Sequence, residues 1–589
     1  MDRKRFDIEG RQIIIHTQGG ICTTASDLLH SDIFRQVVAL YITVCRQQQA
    51  PQLGIFKNIF PSETETDAIT ELLIQLADVP LEEVVKDLPN LAGLLERQNR
   101  LHLHEFAEGL YDYWRSFDRF MVLHSEPGKS SFDRRPYRSF NATVETLTHI
   151  VRSTYRDICE NITGDHPRIY RQVFAGCDIG LIAVAKRTRM PAAYEAVLGD
   201  VPFIRHVWIA PPMIIDPPMN KRDGQFKKTD INPLDGLTLE KGHWLCYPAQ
   251  VGPLVIFVYF HTNQIGLGCS LANLFELATD QQIADGPDAV YCFGVNPEHM
   301  QRYSDNPTVF YDDADTGLLA AAVPNAPQFG YFGYLKKMIL TLHNIVMMKR
   351  GRMPYHGAMV RISLKNGKSA SIVIIGDTAA GKSETLEAFR LLGRDQICQM
   401  KIIADDMGSF DIDVEGRLIG YGTEIGAFIR LDDLQAGYAF EQLDRSIIMS
   451  PQKTNARVVL PVTTLNEVLH GYPVDILLYA NNYEQVDQDH PAIEFFDSPS
   501  RAIEVFREGA SMAKGTTTST GLGHNYYANI FGPPQYRAMH DKLAETVFVK
   551  AFEAGVRVGQ MRSRLGIPGY EASGPKVAAE ELFKIISSE

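Results

Sequence analysis

The chain has 589 residues, 45% of them hydrophobic and 22% charged, with a formal net charge of −13. That is material for about two to four domains. The acidic balance argues against a general nucleic-acid binder, whose affinity rests on basic surface, but leaves room for a local basic pocket. The eight cysteines are scattered with no C-x-x-C pair, which argues against a zinc site or a disulfide framework and for a reducing compartment. Met1–Asp7 has no apolar signal region and no apolar run approaches a membrane span, so a cytoplasmic protein without a membrane or nucleic-acid partner is expected.

Residues 1–140 read as a mainly helical accessory region after a short strand at Gln12–His16. Ser31 precedes the apolar-periodic run Ile33–Cys45, Ser62–Glu65 has the form of a capping box before Ile69–Leu76, and helical spacing continues over Leu91–His124. His102, His104 and His124 read as surface or packing residues, and Arg134, Arg135 and Arg138 as part of a solvated connection. Over 141–330 the pattern changes. Short β-like runs at Gly180–Ala185, His206–Ile209, Leu254–Phe260 and Ala289–Phe293 alternate with loops rich in Pro and Gly, which predicts an α+β domain.

Residues 331–589 carry the chemistry. Gly376, Asp377, Thr378, Ala379, Ala380, Gly381, Lys382 and Ser383 fit the phosphate-loop pattern G-x-x-x-x-G-K-[ST]. An apolar strand is expected at 371–375 and a helix over Ser383–Leu392, with Leu386, Phe389 and Leu392 on one side. Backbone N–H groups of such a loop, together with the helix N-terminus, attract phosphate oxygens. Lys382 would reach the outer phosphates and the Ser383 hydroxyl a divalent cation. Downstream, the apolar strand Lys401–Ala404 ends in Asp405 and Asp406, a place where one carboxylate can hold a cation and the other orient a nucleophile. Upstream, Asn366-Gly367 predicts a hairpin turn between a strand that begins at His356 and the loop strand. That hairpin would set His356 near the carboxyl end of the same sheet.

Several segments in order resemble the ATP-dependent phosphoenolpyruvate carboxykinases. Tyr331–Lys337 followed by Met348–His356 resembles that family's Tyr-x-Gly-Glu-Met-Lys-Lys and Gly-x-x-x-Met-His stretches, with the same spacing from the second Lys to the His. Glu424–Arg430 resembles Glu-Gly-Gly-Cys-Tyr-Ala-Lys, with Arg in the last place. Thr454–Pro461 resembles Asn-Thr-Arg-x-x-Tyr-Pro, and Ala513–Thr517, Ile530–Pro534 and Met539-His540 resemble its closing run. The loop itself, with Glu384 and the Ala404-Asp405-Asp406 strand end, is similar to HPr kinase/phosphorylase, whose core shares the phosphate loop. The chain departs from the carboxykinases in lacking a Gly-Arg-Ser-Pro segment, which leaves Arg187 and Arg189 as positional candidates for an organic-acid arginine. It has Thr517-Thr518-Ser519 in place of Glu-Arg-Gly and Tyr334 in place of the acid in Tyr-x-Gly-Glu.

The resemblance implies a mixed α/β (α+β) fold. A two-lobed carboxykinase-like core, residues 141–330 with the P-loop domain 331–589, would follow the helical region. It also implies ATP as donor and Mg²⁺ and Mn²⁺ as cofactors, with one cation on Ser383 and the phosphates and a second held by Lys337, His356 and Asp406. Arg457 would stabilise the transferring phosphoryl group, Tyr331 would contact the acid or the departing CO₂, and Glu424 and Arg430 would complete the cofactor site. A Lys can ligate a metal only when deprotonated, so its pKa must fall. The expected reaction is ATP plus oxaloacetate giving phosphoenolpyruvate, CO₂ and ADP. Two alternatives stand beside it: an HPr kinase-like phosphotransferase acting on a protein hydroxyl or small molecule, with Asp405 as base, and a nucleotide-binding regulator without turnover. The oligomeric state is left open.

Overall fold

The computed structural model describes the chain except residues 1–5, 18–21, 58, 62–63, 126–135, 166–173, 223–225, 304–306, 378–379, 394–395, 432–439, 514–520 and 589. It also leaves out the side chains of Ser125, 136–139, Ser383, 440–441 and Ala513. Thr378, Ala379, Arg134, Arg135, the Ser383 and Arg138 side chains, and most of the Ala513–Thr517 stretch therefore lie outside the described residues. The fold is mixed α/β. Two compact units are present, one formed by Met1–Ala185 with Pro202–Ala210, the other by Lys186–Val201 with Pro211–Glu589. The expected boundary at 140/141 falls inside the helix Pro136–Thr163 of the first unit, and that at 330/331 inside the second.

In the first unit the run Ile33–Cys45 forms the helix Asp32–Gln47, whose N-cap Ser31 accepts from the Phe34 N–H. The expected capping box lies partly outside the described residues; Thr64 takes the N-cap of Glu65–Asp78 without a side-chain bond. These helices, with Arg97–Arg115 and Pro136–Thr163, pack on strands ordered Phe6–Glu9, Gln12–Thr17, Asp118–Ser125, Ile179–Val184, Phe203–Ile209. The three central strands are parallel to one another and the outer two antiparallel to their neighbours. The helical reading of Leu91–His124 is corrected here: the helix ends at Arg115, and Asp118–Ser125 is a strand. Flanked by parallel neighbours, its Phe120–Leu123 are buried on both faces, so the run has no alternation to distinguish it from a buried helix.

The second unit holds several sheets. One contains Trp244–Val251, Leu254–His261, Ala289–Val295, Leu319–Pro324, Val309–Asp312 and Lys227–Thr229 in spatial order. Another carries the phosphate loop: its loop strand Ser369–Ile375 lies between Met353–Leu364, antiparallel, and Ile476–Asn481, parallel. A small sheet, ordered Gly426–Arg430, Arg457–Pro461, Ile447–Met449, Met213–Ile215, stands apart from them. The helix Phe332–Lys349 is buried on nearly every face, as a helix apolar all round must be.

Candidate functional site

The site is assembled by a strand that changes partners. Met353–Leu364 pairs through its first four residues with Met407–Ile412 and through Met359–Leu364 with Ile397–Ala404. The chain between those partners is Asp405-Asp406, so both carboxylates sit where the pairing switches. The backbone fixes the junction: Gly357 N–H donates to the Asp406 carbonyl at 2.9 Å, and Gly376 N–H to the His356 carbonyl at 3.1 Å. A Cβ at Gly357 would fall 2.4 Å from the Ile374 carbonyl oxygen, so only glycine lets the loop strand approach this closely. The expected Asn366-Gly367 turn is present, with Gly367 at φ 89°.

The loop leads into the helix Lys382–Leu392, whose N-cap Gly381 has φ +95° and whose Cβ would meet Ser563 at 2.6 Å. The Ser563 hydroxyl donates to the Ala380 carbonyl at 2.8 Å, tying the loop to the strand Arg557–Arg562 beside it. Lys382 is buried and curls over the loop, donating to the carbonyls of Gly376 at 2.6 Å and Asp377 at 3.0 Å. Asn525 Nδ2 donates to the Asp377 carboxylate at 3.3 Å.

His356 Nε2 lies 3.0 Å from Asp406 Oδ1, and its Nδ1 donates to the Ala528 carbonyl at 2.5 Å. That carbonyl is aimed by three consecutive non-glycine residues with positive φ, Tyr527 at 44°, Ala528 at 57° and Asn529 at 61°. Such a run costs about 1 kcal/mol or more per residue. With Nδ1–H committed to Ala528, Nε2 presents either a second proton or a lone pair towards the carboxylate. The 3.0 Å separation is that of a hydrogen bond, and an imidazole lone pair next to a carboxylate oxygen is also a donor pair that a divalent cation can use.

The two neighbouring lysines behave oppositely. Lys336 is buried, with its ammonium 2.8 Å from Asp406 Oδ2 and 3.2 Å from Glu424 Oε1. Burial opposes its charge, but the two carboxylates outweigh burial and hold its pKa above the ordinary value. Asp406 falls well below the carboxylate range: burial raises it, and Lys336 and His356 overcome that. Glu424 moves up to about 8, first because of burial and then through Asp406 and Asp405, which Lys336 only partly offsets. One ammonium thus keeps Asp406 ionised and leaves Glu424 protonated at neutral pH. Lys337 is pushed down to about 8, chiefly by burial and the Arg222 guanidinium, with Asp406 pulling the other way. By exposed area it is only partly buried, although protein surrounds it densely. Its ammonium stands 4.8 Å over the Phe531 ring. A lysine whose pKa is lowered by burial while it feels the Asp406 charge fits a metal-ligand role.

Arg457 and Tyr331 meet on Phe428. The Arg457 guanidinium is 5.4 Å and the Tyr331 ring 5.9 Å from that ring, and the Arg457 charge acts on the Tyr331 phenol. Arg430 is the direct cross-strand partner of Arg457. The structure therefore pairs His356 directly with Asp406 and sets Tyr331 and Arg457 on Phe428, while Lys337 feels the Asp406 charge and Lys382 lowers the Asp406 pKa from the loop. Asp405 acts electrostatically on Lys336 and Glu424. Arg187 and Arg189 are exposed, and the Arg189 backbone N–H bonds Ala284; neither is among the groups acting on Lys337 or Tyr331. The arginine that does act on both is Arg222, stacked 5.0 Å over Phe226. Sequence reasoning missed Arg222, Lys336 and the 527–529 turn; only the Lys221-Arg222 pair after Pro217-Pro218 offered a signal for the first. No family model matches the chain, and the search of curated proteins returned no match.

Proposed function

We propose that the chain is a phosphate-loop phosphotransferase with a carboxykinase-like two-lobed catalytic core, converting ATP and oxaloacetate to ADP, CO₂ and phosphoenolpyruvate. The observation that supports this reading is the His356–Asp406 pair, with Lys337 feeling the Asp406 charge and Arg222 acting on both Lys337 and Tyr331. A kinase acting on a hydroxyl needs a phosphate loop, a cation and a base; it gives no work to a lysine with a depressed pKa or to Arg222. Lys337, His356 and Asp406 would hold Mn²⁺, and Ser383 with the nucleotide phosphates would hold Mg²⁺. When bound, such ions supply charge neutralisation to developing oxyanions.

The chain's own groups account for the remaining requirements. Arg222 and Tyr331 would grip the oxaloacetate carboxylates, the planar guanidinium matching a carboxylate fork. The C–C bond to the departing carboxylate breaks, CO₂ leaves, and the electron pair remains on the enolate. The enolate oxygen then attacks the γ-phosphorus of ATP, and ADP departs. Lys382 would move from the loop carbonyls to the outer phosphates, and Arg457 would stabilise charge on the transferring group. Glu424, protonated, adds no negative charge beside the enolate.

The test is phosphoenolpyruvate formation by purified protein with ATP, Mg²⁺, Mn²⁺ and oxaloacetate, against Lys382→Ala. Activity lost in the variant supports the reading. If wild-type protein makes no phosphoenolpyruvate but transfers ³²P from ATP to a protein hydroxyl, the HPr kinase-like alternative replaces it. If neither transfer occurs while ATP binds, the chain is a nucleotide-binding regulator.

A further inference from the structure

The helices Arg97–Arg115 and Pro136–Thr163 of the first unit bring together one polar pair from each. His104 and Glu108 stand one turn apart on the first helix, Tyr155 and Cys159 one turn apart on the second. Their polar atoms meet at a single carboxylate oxygen. The Tyr155 hydroxyl donates to Glu108 Oε1 at 2.5 Å, the Cys159 thiol donates to it at 3.7 Å, and His104 Nε2 lies 3.7 Å from it. The ligand atoms of His104, Glu108 and Cys159 all fall within 4.8 Å of one another, the only such group of His, Cys, Asp and Glu among the described residues. Hydrogen bonding alone is a poor reason for the arrangement, since a thiol is a weak donor and the oxygen it approaches already accepts from Tyr155. The charges that act on the buried thiol most strongly, Glu108 and Glu160, are both negative, a field that favours a cation.

We propose that His104, Glu108 and Cys159 bind one divalent cation of the zinc type through imidazole Nε2, a carboxylate oxygen and a thiolate. Tetrahedral ligands at the usual zinc bond lengths stand about 3.3–3.6 Å apart, so the two 3.7 Å separations need adjustments of only about a few tenths of an ångström. Thiolate with imidazole selects zinc-like ions over magnesium or calcium, and thiolate plus carboxylate balance a double positive charge. The Cys159 S–H bond breaks as the sulfur–metal bond forms, and the proton leaves to solvent. Tyr155 acts as a positioning residue that holds the carboxylate. The His104 and Glu108 side chains are 30% and 44% exposed, which leaves the fourth position to water. No C-x-x-C pair marks the site, because its ligands come from two helices, with Glu108 and Cys159 51 residues apart. The inference is independent of the phosphotransferase reading.

Titration of the full chain with Co²⁺, followed by thiolate-to-cobalt charge-transfer absorption, tests it. The donors proposed for cations in the second unit include no thiol, so they cannot produce this band. The expected result is a band that saturates with a single equivalent of Co²⁺ and is displaced by Zn²⁺. Cys159→Ser should lack it, and Cys398→Ser, which alters an exposed thiol, should keep it. His104 is partly exposed, so His104→Ala should fold normally and weaken Co²⁺ binding about ten-fold or more, at least the cost of losing an outer partner of a metal ligand. No band in wild-type protein, a band that survives Cys159→Ser or is lost in Cys398→Ser, or unchanged Co²⁺ affinity in His104→Ala would overturn the proposal.

Discussion

Replacing Lys337 by Met should stabilise the protein while removing its proposed catalysis. Met preserves the length of the stem with little change of volume, so packing changes little. The charge is what differs. A fall of the Lys337 pKa from 10.5 to about 8 corresponds to about 3 kcal/mol against the ammonium in the folded state. The residue is partly exposed, so about 2 kcal/mol is the expected gain. The sign follows from linkage. Below pH 8 both folded and unfolded chains carry the Lys337 charge, and wild type bears the full penalty. Between about pH 8 and 10.5 the folded lysine is neutral while the unfolded one is not, so wild-type stability rises relative to the variant. Urea unfolding would be followed by the fluorescence of Trp244, in the second unit, in a background with Trp114 and Trp208 replaced by Phe. K337M should exceed its background by about 2 kcal/mol at pH 6.5, and the difference should shrink steadily from pH 8 to 10. A variant less stable than background at pH 6.5, or a gap that does not change with pH, would refute the view that Lys337 carries an uncompensated charge.

Three further outcomes follow from the same geometry. Glu424→Gln should gain stability over wild type as pH rises from about 5 to 8, because folded wild type retains a proton over that window which the unfolded chain releases; parallel urea curves for the two proteins at pH 5 and pH 8 check it, and a gap that narrows with rising pH would contradict the assignment. Ala528→Gly should relieve left-handed strain by about 1 kcal/mol while loosening the carbonyl that holds His356, so calorimetry should show a higher Tm and Mn²⁺ titration a weaker affinity. Arg222→Ala should raise the KM for oxaloacetate about ten-fold or more, as loss of a charge-assisted pair implies, with little change in the KM for ATP; an equal effect on both substrates would place Arg222 on the nucleotide instead.

The parts of this site that were legible in the sequence are those set by backbone geometry. The glycines of the loop, the Asn366-Gly367 turn and the apolar run 371–375 each constrain φ, ψ or pairing locally, and the strand–loop–helix unit formed at those residues. His356 and Asp406 were legible for the same reason, since register alone places Gly357 opposite Ile375 and His356 opposite Met407. Asp118–Ser125 was misread because a strand buried on both faces has no period of its own. Arg222 and the 527–529 turn depend on long-range packing, and no local pattern marks either.

The lysine pair shows why the remainder needed coordinates. Lys336 and Lys337 are adjacent in sequence, and the resemblance assigned the metal to the second without distinguishing their charge states. On a helix, neighbours point about 100° apart, so one step of chain turns Lys336 towards Asp406 and Glu424 and Lys337 towards Arg222 and Phe531. The first lysine acquires the ionised Asp406 carboxylate, with Glu424 a little farther off, and keeps its proton. The second is desolvated beside the like charge of Arg222, and its pKa falls to about 8. The two roles are interdependent. Lys336 keeps Asp406 ionised, an ionised Asp406 can serve as a metal ligand, and Glu424, sharing the same ammonium at a longer distance, remains protonated. Removing the Lys336 charge would therefore leave two buried carboxylates competing for protons at the place where the proposed chemistry needs one of them ionised.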